Sequence, residues 1–175
     1  MDKYYPFDIS SKRMLMRMTI RTFERHGDAF FQIHEMSDCS VKVFWRKGLR
    51  GRIPFEAIIK IEEQYFNGSI LPIDDLILTD EYKNGMAILS PFYEISFSDE
   101  ELRKIIELCN NGIPVDYEEI YGLDGNSYDI CFENNKRHSL WCIVHESLRP
   151  VADVINLLVS RAGLDEDMYS IKIKK

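Results

Sequence analysis

From Met14 to Phe23 the chain reads MLMRMTIRTF, with apolar and polar residues alternating at a period near two. Successive side chains of a strand point to opposite faces, so this pattern, with its Thr and Ile, predicts a half-buried strand. Met and Arg also favour helices, and a helix over 13–25 is the competing reading. HGD at 26–28 is a turn signal, AFFQIHEM (29–36) a returning strand, DCS (38–40) a second turn and VKVFW (41–45) a third strand. The first third therefore predicts an antiparallel meander.

The pattern then changes. In RKGLRGRIPFEAIIKIEEQYFNG, Pro54 and Gly68 bracket a helix carrying Phe55, Ile58, Ile59 and Tyr65 on one side, with a strand as the alternative. Residues 69–97 hold short apolar runs between acidic turns, as two or three short strands would. SDEELRKIIELCNNG is a clearer helix: Ser98 and Glu101 form a capping box, and Gly112 and Pro114 end it. Leu102, Ile105, Ile106 and Cys109 make one apolar stripe, which places the Cys109 thiol in packing. SLRPVADVINLLVSRAG is a second helix, with Val151, Val154, Ile155, Leu158 and Ala162 on one face. MYSIKIKK alternates apolar residues with Lys, as a protected edge strand does.

Between those helices lies LDGNSYDICFENNKRHSLWCIVHES. Asp124-Gly125 is a hairpin signal that would set Tyr121 opposite Tyr128, and ENNK turns the chain again into RHSLWCIVHE. Cys131, His138, Cys142 and His145 look on paper like a zinc or thiol centre. Strand geometry separates them, because Cys142 and His145, three apart, point to opposite faces. A loop at Asn134-Asn135 sets Cys131 opposite His138. A loop at Asn134–Lys136 instead sets Phe132 opposite His138 and gathers Tyr128, Ile130, Phe132, Leu140, Cys142 and Val144 on one apolar face. Neither register surrounds one ion with all four residues, so no metal ligand, catalytic residue or cofactor is assigned. P-loop, Rossmann, HExxH and GxSxG signatures are absent from the sequence.

Composition sets the broad class. The 175 residues, 45% hydrophobic and 12% aromatic, suit a single α+β domain, mostly antiparallel meander sheet with two or three helices packed on one face. Net charge is −7, which disfavours nucleic acid and anionic membranes as partners. The charge is uneven: residues 1–52 are β-rich and basic, residues 53–175 acidic. MDKYYPFDIS has no apolar core region and no run approaches the ~18 apolar residues of a membrane span. A cytoplasmic protein with four reduced cysteines is expected.

Two charged groups are candidate sites. Glu62, Glu63, Asp74, Asp75, Asp116, Glu118 and Glu119 are candidates for an acidic face that docks a basic protein. Asp99-Glu100-Glu101 is explained by the helix dipole. Trp45, Arg46, Lys47, Arg50 and Arg52, beside Gly48 and Gly51, are candidates for holding a phosphate chain or single-stranded RNA. A solvated loop is the plainer reading of that stretch, since the chain as a whole is acidic.

The succession LDGNSYDICFE, RHSLWCIVHES, PVADVINLLVSRAG resembles the C-terminal pattern of many small bacterial proteins, some of them immunity partners in toxin–immunity systems. It covers about a third of the chain, and its motifs are structural. The resemblance implies a binding protein that neutralises a basic toxin domain through the acidic region 53–175. The alternatives are a nucleic-acid or phosphate-ligand binder using 45–52, and a small enzyme whose site no motif marks.

Overall fold

The structure, a computed structural model, describes residues 3–4, 9, 11–22, 27–47, 92–114, 125–134 and 136–174. Strands β1 (Lys3–Tyr4), β2 (Arg13–Arg21), β3 (Ala29–Glu35), β4 (Val41–Lys47), β5 (Phe92–Ile95), β6 (Ser127–Phe132) and β7 (Arg137–Trp141) form one antiparallel sheet. Their order is β1-β5-β4-β3-β2-β6-β7. The expected meander is β2-β3-β4, and the competing helix over 13–25 gives way to the nine-residue β2. Helices α1 (Asp99–Asn111) and α2 (Arg149–Arg161) pack on one face of the sheet, giving an α+β arrangement.

Alternation decides that face. Met16, Met18 and Ile20 of β2 stand beside Ile33, Phe31 and Ala29 of β3 and Phe132, Ile130 and Tyr128 of β6, all buried. The helices add Ile105 and Leu108 from α1 and Val151, Val154, Ile155, Leu158 and Ala162 from α2. The deepest α1 residues are Ile105 and Leu108, while Leu102, Ile106 and Cys109 are half-buried, so the stripe is rotated from the expected one. The opposite face carries a smaller cluster of Ile9, Phe44 and Phe92.

The β6–β7 hairpin adopts neither expected register. Ile130 stands opposite His138 and Cys131 opposite Arg137, and Phe132 N–H donates to Lys136 O at 3.0 Å. This is a two-residue slip from the Asn134–Lys136 register, so each residue keeps its expected face. Tyr128, Ile130, Phe132, Leu140 and Val144 reach the helical core, Cys142 is half-buried against it, and Cys131 goes to the other side. Tyr121 and Asp124 of the expected DG hairpin lie outside the described residues. Tyr128 itself stands between Ile20 and Leu140. Gly125 is held at φ 145°, and an added Cβ would run into the Cys142 thiol, so this turn needs a glycine.

The strand expected over RHSLWCIVHE is two strands. The chain bends at Cys142, and β8 (Ile143–His145) pairs in parallel with the C-terminal β9 (Lys172–Lys174). The short helix α3 (Glu166–Tyr169) leads into β9. Asn156 of α2 clamps that tail, its amide bonding both Ile171 N (2.8 Å) and Ile171 O (3.0 Å). Tyr128 donates to Tyr169 O at 2.9 Å, and the Tyr169 hydroxyl donates to Gly27 O at 2.8 Å. No helix among the described residues is long and apolar enough to cross a membrane. Of the short strands expected over 69–97, the last is β5, while residues 69–91 and the helix expected at 54–68 lie outside the described residues.

Candidate functional site: the acidic helical layer

The charge split along the chain is partly consumed inside the sheet. Arg13 pairs with Glu35 (2.6 Å) and Glu133 (3.0 Å), Arg21 with Asp129 (3.1 Å) and Lys42 with Glu94 (3.1 Å). Basic residues of the first third are thus tied to acidic ones from later strands.

The helical layer behaves differently. Its antiparallel helices are fastened where α1 begins and α2 ends, with Arg161 on Glu101 at 2.5 Å. Glu101 also accepts from the Ser98 backbone amide at 2.8 Å, and that bond, with Arg161, holds its carboxyl below the usual range. Lys104 pairs with Glu100 at 3.1 Å, and Arg149 with Glu146 at 2.5 Å. Three of the four helical cations are therefore occupied, and the fourth, Arg103, donates to the Asp99 carbonyl. Asp99, Glu107, Asp153, Asp165, Glu166 and Asp167 stay exposed with no ion pair among the described residues.

Glu107 and Asp153 border a groove of about 510 Å³ between the end of α1 and the start of α2. Leu108, Pro114, Pro150, Val151 and Val154 supply apolar lining, and Lys104, Asn111, Ser147 and Arg149 complete the polar border. The α1 C-terminus has no basic residue in its last turn, and α2 starts at Leu148 without a side-chain cap. The groove therefore receives opposed helix-dipole ends, and side-chain charge decides which ligand sign it favours.

The acidic candidates Glu62, Glu63, Asp74, Asp75, Asp116, Glu118 and Glu119 lie outside the described residues, as do Arg50 and Arg52. Trp45 lies in the expected strand, but Arg46 and Lys47 continue β4 rather than opening a loop, and alternation splits the three. Arg46 is 1% exposed, its guanidinium 4.8 Å from the ring centres of both Phe30 and Phe92. Trp45 lies on the helical face beside Phe31 and Tyr93, and Lys47 stands over the Tyr169 ring. These three do not form one phosphate-binding surface.

Among the described residues, one buried histidine is hydrogen-bonded at both nitrogens. His34 Nε2 donates to Gln32 Oε1 (3.1 Å), so Nδ1 accepts from the Ser11 hydroxyl (2.9 Å). Burial pulls the His34 pKa down to about 4, which makes it a weak base near neutrality. Burial raises the Cys109 thiol to about 12. Cys131 is buried, and His145 caps the turn at Glu146–Leu148 by accepting from Ser147 N. Among the described residues no group of three or more His, Cys, Asp or Glu could hold a metal ion.

The carboxylates Glu107, Asp153, Asp165, Glu166 and Asp167 were not singled out by sequence reasoning. Helical spacing alone does not single them out, because Arg103–Glu107 and Arg149–Asp153, each four apart, could pair as readily as Glu100–Lys104 and Glu146–Arg149. No protein family, curated protein or solved structure matches this chain.

Proposed function

We propose that the protein acts in the cytoplasm by binding a basic protein partner through its helical layer, in the manner of an immunity protein that neutralises a toxin domain. One observation carries this reading: the helical cations are engaged, while Asp99, Glu107, Asp153, Asp165, Glu166 and Asp167 remain exposed without ion-pair partners among the described residues. Clustered charge of one sign steers an oppositely charged partner and selects against others. The resemblance of the C-terminal third to small bacterial proteins, some of which look like immunity partners, supports the same reading.

Tagged protein expressed in its native host, followed by identification of stoichiometric partners, tests the proposal. The expected partner is a basic protein whose association slows by about ten- to a thousandfold from low to high salt. Its association should also slow when Asp165, Glu166 and Asp167 are changed to their amides. Recovery of no basic partner, or of one indifferent to both salt and these substitutions, would overturn it.

A further inference from the structure

We propose that the groove between α1 and α2 is the anchor point of that face and receives a lysine or arginine side chain of the partner. This rests on the binding function proposed above and specifies where and how the partner is held. An apolar floor beneath a charged rim suits this kind of side chain, whose aliphatic stem packs on carbon while its cation stays with carboxylates and water. Leu108, Val151 and Val154 contribute to the floor, and Glu107 and Asp153 stand at its border.

Two observations give the groove its sign. Lys104 and Arg149 also border it, but Glu100 and Glu146 hold them at 3.1 and 2.5 Å. Glu107 and Asp153 have no such partner among the described residues. Buried basic or aromatic anchors surrounded by a polar rim are how small areas of an interface come to dominate affinity.

The probe is the tripeptide amide acetyl-Leu-Arg-Leu, titrated into isotope-labelled protein and followed by amide chemical shifts. Controls replace its arginine by citrulline, which keeps the shape without the charge, and by glutamate. Shifts should concentrate on 107–112 and 147–154, and both controls should bind about tenfold more weakly or less. Glu107→Gln with Asp153→Asn should weaken arginine-probe binding by about tenfold. Asn111→Arg, on an exposed position at the border, should block the probe by filling the groove from within the chain. Unchanged melting temperatures would show that both variants fold.

Equal binding of the citrulline probe, shifts spread evenly over Asp165–Asp167, or preference for the glutamate probe would overturn the proposal. The two levels separate cleanly. A partner that binds the Glu107→Gln, Asp153→Asn protein as well as wild type removes the groove and leaves the acidic face. Localised binding of the arginine probe with no basic partner in the host removes the immunity reading and leaves the groove.

Discussion

The two faces of the sheet solve burial differently. Under α1 and α2 the sheet presents Met16, Met18, Ile20, Phe31, Ile33 and Ile130, and the helices answer with Ile105, Ile155 and Leu158. On the opposite face His34, Gln32 and Arg46 are buried among Phe30, Phe44 and Phe92. One face excludes water mainly with carbon, its buried Tyr128 and Tyr169 hydroxyls each satisfied by a main-chain carbonyl. The other surrounds polar groups with rings and hydrogen bonds, so its stability depends on protonation and geometry as well as on volume. Burying a polar group is unfavourable unless it is partnered, and His34 shows the partnering in full. Phe44 lies edge-on to its ring at 5.6 Å, while Ser11 and Gln32 occupy both nitrogens.

The largest effect belongs to the apolar face. Leu158 is fully buried in α2, and Leu158→Ala should lower unfolding free energy by about 2–5 kcal/mol, measured by urea denaturation. This loss should be nearly independent of pH between 7 and 4. A strongly pH-dependent loss would mean that the two faces do not unfold as separable contributions to one transition.

The polar face should show the complementary behaviour. The His34 pKa in the folded chain, about 4, lies below its ordinary value of 6.5 because of burial. Between these values the unfolded chain holds the extra proton. The stability gained from keeping His34 neutral is therefore fully present above pH 6.5 and is lost as pH falls toward 4. The loss is about 3 kcal/mol. Glu35, Asp38 and Glu146, whose acidities are strengthened by hydrogen bonds from Lys12, Ser40 and Arg149, also destabilise the fold in acid. They do so equally in wild type and in His34→Gln, so the difference between the two proteins isolates the imidazole. Parallel stability–pH curves for the two would refute the assignment.

Arg46 tests whether rings or charge hold that face. Arg46→Lys keeps the cation and loses the planar group between Phe30 and Phe92. A loss of about 1–2 kcal/mol is expected in equilibrium denaturation. A neutral result would mean that the charge alone suffices.

These contrasts also show what the sequence could convey. Alternation revealed β2, β3 and β4, and the Ser98–Glu101 spacing revealed α1, because each signal is local. The neighbour relations were not local. Period-two patterning says which face Ile130 takes, but not that β6 lies beside β2, nor that its hairpin closes with Phe132 bonded to Lys136. The parallel pairing of β8 with β9 depends on the bend at Cys142 and on the Asn156 clamp, neither of which leaves a periodic trace. The site was scarcely legible. Helical spacing allows the Glu100–Lys104 and Glu146–Arg149 pairs without choosing them over Arg103–Glu107 or Arg149–Asp153, and Arg161 on Glu101, sixty residues apart, needed the packed helices.

The smallest effect lies at the rim of the apolar face. Ser98 Oγ accepts from Glu101 N at 3.4 Å, while the Glu101 carboxylate accepts from Ser98 N at 2.8 Å, so two amides of the first α1 turn are satisfied reciprocally. Ser98→Ala removes one of these acceptors and should lower stability by about 1 kcal/mol, whereas Ser98→Asp, another good cap, should stay near wild type. Hydrogen exchange at Glu101 should quicken in the alanine variant and remain slow at Ile105 and Leu108, which the core holds. Faster exchange along all of α1 would show that its helix depends on its cap rather than on its buried stripe. The helical face would then be as reliant on polar bonding as the face beneath it.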